Sequence, residues 1–326
     1  MSWPDDVWNG RSVLVTGAAG LLGRWMARVL VDAGATVHGL DIDWSGPRGR
    51  VSPAGMTIVD GDVRDTDRLR ALLDASWADT VIHLAAQTLV GPALADPVDT
   101  FRHNIEGTWS VLEACRGKPE VRRIVVASSD KAYGHAMGRP YTEDMPLRAV
   151  HPYDASKAAA DIVARTYAAT YHMPIAVSRC GNLYGGGDLN WSRIVPGTIR
   201  SVLIGERPVI RSDGTPVRDY LYVRDAANGV LALADAVGRR EELRGEAYNF
   251  SGGNRLSVMA VVKRILRAMD CALEPEILDR AVAEIPEQRV SSARAHRELA
   301  WRPMVRFSEG LRETIDWYRR HLDAVT

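Results

Sequence analysis

The residues with the clearest chemical potential are Tyr153 and Lys157, four positions apart in the sequence. At this spacing the two side chains lie on one face of a helix. A lysine ammonium beside a phenol favours the phenolate, which allows Tyr153 to act as a base near neutral pH. Ser129 ends an apolar, strand-like run and can hydrogen-bond the same substrate hydroxyl. Together these side chains indicate a catalytic site for proton transfer at a hydroxyl group.

A glycine-rich segment, TGAAGLLG at residues 16–23, follows the first strand-like run and opens the first helix-like segment. In this context Gly17 permits a tight turn, Gly20 lets the backbone approach a pyrophosphate, and Gly23 permits close packing of helix on strand. The start of the helix presents free N–H groups and positive partial charge to a diphosphate. The pattern predicts a dinucleotide site formed by Gly17, Gly20, Leu21, Leu22 and Gly23.

Acidic residues at two later strand ends extend this cofactor site. Asp41 ends the second strand, where a carboxylate can hold both ribose hydroxyls and would repel a 2′-phosphate, which favours NAD over NADP. Asp62 and Val63, after the third strand, are positioned to hold the adenine. For both aspartates the alternative is an ordinary turn carboxylate. We also assign to the cofactor site the residues that close the fourth strand and one helix residue beside it: Leu84, Ala85, Ala86, Gln87 and Asn104.

The segments that must position these residues alternate between strand-like and helix-like patterns. Short apolar runs predict six strands in the first half, at residues 12–16, 36–41, 56–59, 80–85, 123–129 and 175–179. Apolar residues at helical spacing predict helices between them, at residues 21–33, 65–75, 97–115 and 151–171. This alternation implies right-handed crossovers and a Rossmann-type α/β fold, a doubly wound parallel sheet with helices on both faces.

From residue 181 the sequence becomes rich in glycine and proline, with one short helix. A strand-like run at residues 249–253 and helices at 256–270 and 307–321 follow. We therefore predict an NAD-binding domain over residues 1–180, to which residues 219–251 return. A smaller C-terminal substrate-binding lid is then formed by residues 181–218 and 252–326.

The overall composition is that of an ordinary globular protein. Lysine plus arginine and aspartate plus glutamate both number 41, so no global charge draws the chain to nucleic acid or to a membrane surface. No apolar stretch approaches the length of a membrane span. The three cysteines, Cys115, Cys180 and Cys271, lie far apart without a CxxC pair, which predicts reduced thiols with no metal or disulfide role. Residues 1–9 lack the pattern of a signal peptide, and we expect a cytoplasmic protein.

Segments along nearly the whole chain resemble the extended short-chain dehydrogenases/reductases, within the nucleotide-sugar epimerase/dehydratase family. The resembling segments are TGAAGLLG at 16–23, DGDVRD at 60–65, HLAAQ at 83–87, NIEGTWSVLEAC at 104–115, SSDKAYG at 128–134, YDASK at 153–157, RCGNLYGGGD at 179–188, RDYLYVRDAA at 218–227 and ELAWRP at 298–303. Together they are highly specific to the family and much less specific to one reaction within it.

This resemblance implies an NAD-dependent reaction on a nucleotide-linked sugar. Tyr153 would take the proton of the sugar 4-hydroxyl while hydride leaves C4 for the nicotinamide. Lys157 would hold the nicotinamide ribose and lower the tyrosine pKa, and Ser129 would orient the hydroxyl. An epimerase then returns hydride to the other face of the 4-keto sugar. A 4,6-dehydratase instead removes the C5 proton, expels water across C5–C6 and returns hydride to C6.

Asp130 and Lys131, directly after Ser129, favour the dehydratase. The Ser-Asp-Lys triplet resembles that of hexose 4,6-dehydratases acting on CDP-glucose, which implies Asp130 as the acid for the departing C6 hydroxyl and Lys131, when neutral, as the base for the C5 proton. An epimerase remains the alternative, because sugar 2-epimerases of the CDP series can show a similar Asn-Lys pair and because an Asp-Lys pair at a strand end can be a surface ion pair. The Ala-Tyr-Gly that follows and the Arg-Asp-Tyr at 218–220 resemble epimerases, so the nucleotide base stays open. A non-catalytic NAD sensor is a distant alternative, since such a protein would be expected to lack part of the Ser-Tyr-Lys set.

The resemblance also implies residues that bind the sugar nucleotide. Asn182 resembles the family asparagine that binds the diphosphate, and Arg218 resembles the arginine that reaches the nucleotide phosphate or ribose. Arg193 and Arg289 lie in lid segments, where each either contacts a phosphate or remains a solvated surface charge.

The resemblance finally implies a homodimer. The helices predicted at residues 97–115 and 151–171 resemble the pair that forms an intersubunit four-helix bundle in this family. A nucleotide sugar and a second copy of the chain are therefore the expected partners.

Overall fold

The structure, a computed structural model, describes residues 7–135, 138–280 and 285–325. Its strands are β1 Ser12–Thr16, β2 Thr36–Asp41, β3 Met56–Asp60, β4 Thr80–His83, β5 Arg123–Ala127, β6 Ile175–Cys180, β7 Asn182–Tyr184, β8 Val209–Ile210, β9 Val217–Arg218, β10 Tyr220–Tyr222, β11 Ala247–Phe250, β12 Leu256–Ser257 and β13 Glu276–Ile277. Its helices are α1 Leu21–Asp32, α2 Pro47–Arg50, α3 Thr66–Ser76, α4 Val90–Ala95, α5 Pro97–Phe101, α6 Gly107–Cys115, α7 Pro152–Tyr171, α8 Ile194–Leu203, α9 Val223–Arg239, α10 Val258–Ala268, α11 Ala293–Leu299 and α12 Phe307–Val325. The sequence-based prediction that residues 1–9 are not a signal peptide concerns mainly residues 1–6, which lie outside the described residues.

Seven strands of the described chain form one large sheet in the order β11-β6-β5-β4-β1-β2-β3, and every neighbouring pair is parallel. The strands are short, apolar runs because both faces of the sheet are covered. Successive side chains point to opposite faces. Val13 and Val15 of β1 belong to the apolar cluster that includes α1 and α9, whereas Leu14 belongs to the cluster with Leu69 of α3 and Val111 of α6. The predicted doubly wound α/β fold is confirmed.

The strand order changes direction between β1 and β4. In a doubly wound sheet, ligands bind in the crevice outside the carboxyl ends of the strands at this switch point. Because the strands are parallel, the segments that follow β1, β2, β4, β5 and β6 all meet at the same edge. These segments carry most of the predicted cofactor and catalytic residues.

The chain beyond β6 is divided between the large sheet and a second, smaller assembly. β11 joins the large sheet beside β6, while β7 pairs with β10, β9 with β12 and β8 with β13. A separate apolar cluster joins α8, α10 and α12 through Ile199, Ile265 and Leu311. Within the described ranges, none of the helices combines the length and the apolar composition that crossing a bilayer requires.

Some elements differ from the sequence prediction for reasons that bear on the site. The predicted strands at 80–85 and 123–129 end earlier, at His83 and Ala127, because their last residues leave the sheet and enter the site loops. The predicted helix at 97–115 consists of α5, a π-helical turn at Arg102–Glu106, and α6. The 17-residue helix α9 is absent from the prediction, although it covers one face of the sheet.

Candidate active site

Helix α7 places Tyr153 and Lys157 at the carboxyl edge of the sheet. Pro152 occupies the first turn of the helix, where its missing N–H costs no helical hydrogen bond. Both functional side chains are buried, and the Lys157 ammonium donates to the carbonyl of Ala127 over 2.8 Å. This contact fixes Lys157 beside the end of β5, the strand that leads to Ser129.

Burial controls the ionisation of this tyrosine–lysine pair. Burial raises the pKa of Tyr153 to about 12, and the Arg193 guanidinium and a hydrogen bond with Ser129 offset part of the rise. Burial lowers the pKa of Lys157 to about 8, which the neighbouring Cys180 partly opposes. The sequence assigns phenolate stabilisation to Lys157, whereas in the structure Arg193 is the cation with the largest such effect on Tyr153. The N-terminus of α7 adds positive partial charge at the same place.

Asp130 and Lys131 lie in a 3-10 turn, Asp130–Tyr133, directly after Ser129. The Ser129 hydroxyl accepts from the Lys131 backbone N–H and donates to Asp130 Oδ1, both over 3.2 Å. Asp130 is 2% exposed, and its Oδ2 has no hydrogen-bond partner among the described residues. Burial raises the pKa of Asp130 against the opposing charges of Lys131 and Arg218. Burial therefore favours the protonated form of this carboxyl, which is the form that a general acid requires.

Two further acidic side chains near Asp130 were not singled out from the sequence. Burial raises the pKa of Asp219 to about 6, and the Asp130 charge adds to this rise. Burial also raises the pKa of Asp154, the residue after Tyr153. Both residues belong to segments that carry the family resemblance, so their position in the motifs was the available signal. Asp130, Asp154 and Asp219 are therefore neighbouring carboxyls whose pKa values are raised by burial.

Gln288 is a site residue that no sequence motif indicated. It is fully buried, and its Oε1 accepts a hydrogen bond from the Lys131 ammonium over 3.0 Å. The two residues are 157 positions apart, and neither periodicity nor spacing signals such a contact.

Asn104 joins the end of β4 to the catalytic helix. It lies within the π-helical turn and is buried. Its Oδ1 accepts from the backbone N–H of Gln87 over 2.7 Å, and its Nδ2 donates to the Gln87 carbonyl and to Ser156 Oγ over 2.9 and 2.8 Å. Ser156 precedes Lys157, so Asn104 fixes the catalytic helix against the loop that follows β4. A π-helical turn inside a helix often marks a functional site.

The glycine-rich loop fits a dinucleotide through its close backbone approaches. Gly17 has a φ of 71°, and a Cβ there would lie 2.6 Å from the backbone nitrogen of Ala85. A Cβ on Gly23 would lie 2.2 Å from the Gly17 carbonyl oxygen. Helix α1 begins at Leu21, and none of the described side chains caps its N-terminus. Its first N–H groups therefore remain available to an anion such as a diphosphate.

The other predicted cofactor residues surround this loop. The Asp41 carboxylate accepts from the backbone N–H groups of Ala19 and Asp43 over 2.8 and 3.3 Å, and its remaining lone pairs can accept further bonds. Asp62 is paired with the Arg64 guanidinium, which holds the pKa of that carboxyl below its usual range. Val63 packs in the apolar core. Leu22 lies in the first turn of α1, and Leu84, Ala85 and Ala86 lie in the segment that follows β4.

Asn182 and Arg218 lie on either side of Asp219. The Asn182 backbone N–H donates to the Asp219 carbonyl over 2.8 Å, and Asn182 Nδ2 is buried without a partner among the described residues. Arg218 is buried, and its charge acts on Asp130. The structure therefore brings both of these predicted substrate residues close to the acidic residues Asp130 and Asp219.

Arg193 and Arg289 have different surroundings. Arg193 pairs with the buried Asp188 over 3.0 Å and donates to Thr88 Oγ1 over 3.2 Å, and its charge acts on Tyr153. Arg289 pairs with Glu287 over 3.3 Å and donates to the Gly138 carbonyl over 2.8 Å. These contacts join Arg289 to surface segments and to none of the other predicted site residues.

The loop at residues 185–187 packs on the cofactor domain. Arg24 donates to the carbonyls of Ala19 and Gly187, and the Trp25 indole donates to the Gly186 carbonyl over 2.9 Å. A Cβ on Gly186 would lie 2.4 Å from the Trp317 ring. These glycines therefore allow close packing between protein segments and couple the glycine-rich loop to α12.

The comparison with known families decides the affiliation of the chain. Residues 13–250 match the family described as NAD dependent epimerase/dehydratase. The chain belongs to this family. Among curated members, the dTDP-glucose 4,6-dehydratase of Neisseria gonorrhoeae is 31% identical over 94% of this chain and 95% of the relative. The dTDP-glucose 4,6-dehydratase of Streptomyces griseus is 32% identical over 95% of this chain and 94% of the relative.

Solved structures of epimerase/dehydratase members have the same fold. The dTDP-glucose 4,6-dehydratase of Streptomyces venezuelae, solved with NAD bound, is 27% identical with a TM-score of 0.86, covering 95% of this chain and 98% of that one. The UDP-glucose 4-epimerase of Thermotoga maritima, solved with UDP-glucose, is 25% identical with a TM-score of 0.88, covering 95% of this chain and 99% of that one. The chain is therefore an NAD-dependent enzyme of this family, and the predicted family and cofactor are confirmed.

Proposed function

We propose that the protein is a nucleotide-sugar 4,6-dehydratase. The observation that carries this proposal is the buried Asp130 carboxyl, whose Oδ2 has no partner among the described residues and which lies between Ser129 and Lys131. A dehydratase needs an acid for the departing C6 hydroxyl, whereas a 4-epimerase expels no hydroxyl. The relatives named dTDP-glucose 4,6-dehydratase support the same reaction.

The first half of the proposed reaction is oxidation at C4. Tyr153 takes the proton of the sugar 4-hydroxyl, and Ser129 orients that hydroxyl by a hydrogen bond. Burial raises the pKa of Tyr153 to about 12, and Arg193 and the N-terminus of α7 oppose this rise and so assist formation of the phenolate that this step requires. Lys157 holds the nicotinamide ribose. NAD supplies the hydride acceptor for C4 and afterwards the hydride donor for C6.

The second half is elimination of water across C5–C6. The 4-keto group acidifies the C5 proton, which Lys131 takes. Asp130 gives its proton to the departing C6 hydroxyl, the C6–O bond breaks, and water leaves. Hydride then returns to C6 and a proton returns to C5, which gives a 4-keto-6-deoxy sugar nucleotide.

The binding residues complete this proposal. The glycine-rich loop, Asp41, Asp62 and the segment after β4 bind NAD. Residues 181–218 and 252–326 form the lid over a hexose that is linked to a nucleoside diphosphate. Within the lid, Asn182, Arg193 and Arg218 are the proposed contacts to the nucleotide and its phosphates, whereas the contacts of Arg289 place it among surface segments.

A nucleotide-sugar 4-epimerase is the second candidate. The overall match to the UDP-glucose 4-epimerase structure supports it, because the fold accommodates both outcomes. The two candidates differ in their product: dehydration lowers the mass by one water, and epimerisation leaves the mass unchanged.

Incubation with nucleotide sugars tests the proposal. The purified protein is mixed with dTDP-, CDP-, UDP- and GDP-glucose without added reductant, and the products are analysed by mass spectrometry and NMR. We expect a 4-keto-6-deoxy product from one of these substrates, and that substrate identifies the nucleotide. An isomer of unchanged mass would contradict the dehydratase proposal and indicate an epimerase instead.

We also propose that the protein works as a homodimer in the cytoplasm. Leu94, Val98, Phe101 and Trp109 form an exposed apolar stripe along α4 to α6, and Ile162 of the adjacent α7 extends it. Burying such a stripe against a second copy would form a four-helix bundle. We expect the three cysteines to be reduced thiols in that compartment.

A further inference from the structure

Gln288 is a buried side chain to which the reaction steps above give no role. Its Oε1 accepts from the Lys131 ammonium over 3.0 Å. A lysine ammonium can only donate hydrogen bonds, so the carbonyl end of the amide must face it. This chemistry fixes the orientation of the amide and turns Nε2 away from Lys131.

Gln288 Nε2 has no hydrogen-bond partner among the described residues, although it is buried. Leaving such a donor unsatisfied costs about 1–3 kcal/mol. Asp130 Oδ2 and Asn182 Nδ2 are likewise buried without a hydrogen-bond partner among the described residues. Their backbones converge, because the Gln288 N–H donates to the Val217 carbonyl over 3.0 Å and the Asn182 N–H donates to the Asp219 carbonyl over 2.8 Å. Three unpartnered polar groups on converging segments are suited to a ligand rich in hydroxyls.

We infer that Gln288 is the positioning residue for Lys131 in the elimination step, and that its Nε2 donates to an oxygen of the bound hexose. This inference rests on the proposed dehydratase function. A neutral amide holds the Lys131 side chain in place without adding a charge beside it. A carboxylate at the same position would add a negative charge, which favours the protonated form of a neighbouring base.

The acidic groups near Lys131 support this role of Gln288. Asp130 and Asp154 both interact electrostatically with Lys131, and burial raises the pKa of both carboxyls. Each carboxyl is therefore biased toward its neutral form. Gln288 is the side chain that adds a hydrogen bond to Lys131 without a charge.

Two variants of Gln288 separate positioning from packing. Gln288→Met keeps the length of the side chain and removes both hydrogen-bonding ends, whereas Gln288→Glu keeps an acceptor and adds a negative charge. The substrate found for the wild type is used with the NAD-loaded enzyme. The near-ultraviolet absorbance of the reduced cofactor follows oxidation at C4, and NMR follows formation of the 4-keto-6-deoxy product.

For Gln288→Met we expect C4 oxidation within about twofold of the wild type and elimination slowed by at least about tenfold, because a displaced base loses its alignment with C5. Reduced cofactor then accumulates. For Gln288→Glu we expect the acid limb of the kcat profile to move to higher pH by about one unit, because the carboxylate favours protonated Lys131. Ser291→Ala, on the same segment, should change neither quantity.

Equal slowing of both steps in Gln288→Met, together with an unmoved acid limb in Gln288→Glu, would show that Gln288 only packs and would overturn the inference. If Gln288→Met does not fold, the profile of Gln288→Glu decides alone. Failure of the proposed function is seen separately in the wild type, which would then release an isomer instead of a dehydrated product, and the inference would fall with it.

Discussion

At the scale of single residues, burial gives ordinary side chains the properties that the chemistry needs. Asp130 has a raised pKa because it is removed from water, and Lys157 has a lowered pKa for the same reason. Both shifts act against the charged form, and nearby groups of opposite charge offset only part of them. Burial therefore favours the protonated form of Asp130 and the neutral form of Lys157, on two adjoining elements.

Replacing Asp130 with asparagine tests the acid. The amide has the same shape but carries no acidic proton for the C6 hydroxyl, so we expect elimination to slow by about 10²–10⁴-fold. Oxidation at C4 should persist, because Tyr153 and Ser129 are unchanged. Rapid mixing with substrate should then show reduced cofactor accumulating without product. Asp67→Asn on the exposed surface of α3 is the matched control, and loss of both steps in Asp130→Asn would contradict the assignment.

Replacing His83 tests a pH dependence of stability. His83 is a buried imidazole between Thr16 Oγ1 at 2.8 Å and Thr108 Oγ1 at 3.2 Å, and burial lowers its pKa from 6.5 to about 3. Below pH 6.5 the unfolded chain binds a proton that the folded chain does not bind until near pH 3. The contribution of His83 to the free energy of unfolding is therefore fully present above pH 6.5 and declines as the pH falls. At about pH 4.5 it has decreased by about 3 kcal/mol.

The free energy of unfolding of the wild type should fall between about pH 7 and about pH 4.5. For His83→Gln we expect this fall to be smaller by about 3 kcal/mol, even if the variant is less stable at both pH values. Urea denaturation at the two pH values measures this difference. His172→Gln, at the exposed C-terminal end of α7, should leave it unchanged. An acid sensitivity equal to that of the wild type would mean that His83 is protonated in the folded protein.

The sequence predicts the residues whose neighbours are local. Tyr153 and Lys157 are one helical turn apart, and Asp130 and Lys131 follow Ser129 directly, so spacing and motif were enough to group them. Gln288 reaches Lys131 from 157 positions away, and Arg193 acts on Tyr153 from another element. Such contacts depend on how the C-terminal segments pack, which no local pattern encodes.

At the scale of elements, one irregular turn connects the cofactor edge to the catalytic helix. Asn104 makes all three of its side-chain hydrogen bonds from the π-helical turn, two to the backbone of Gln87 and one to Ser156. A regular helix over residues 97–115, as the sequence predicts, would rotate the residues after the turn relative to those before it. The alternation of strands and helices was predictable from the apolar runs. The π-helical turn was not, because it depends on hydrogen bonds between the Asn104 amide and distant segments.

Replacing Asn104 with alanine should loosen this connection. The Gln87 N–H and carbonyl each lose a partner and the buried Ser156 hydroxyl loses one of its two, so we expect a loss of about 1–3 kcal/mol in the free energy of unfolding. We also expect less NAD retained after gel filtration, measured from the absorbance of the released cofactor, because the Gln87 loop lies at the cofactor edge. Thr166→Ala on the exposed face of α7 is the control. Full NAD retention in Asn104→Ala would remove Asn104 from the cofactor site.

At the scale of the whole molecule, the helices that carry the active site also carry an apolar surface. Val98 and Ile162 are 57% and 56% exposed, and Trp109 is 43% exposed. These residues lie on α5, α7 and α6, which pack side by side. The inner face of α7 holds the catalytic residues while its outer face holds Ile162, so pairing with a second copy would support the site from behind.

Charges placed in this stripe should separate the dimer. In the double variant Val98→Glu and Ile162→Glu, pairing would bury four like charges, which association cannot compensate. We expect a mass near 35.8 kDa by gel filtration with light scattering, compared with twice that value for the wild type. Trp77→Glu is the matched control, because Trp77 is 78% exposed at the end of α3, outside the stripe. A double variant that remains dimeric would place the interface on another surface of the molecule.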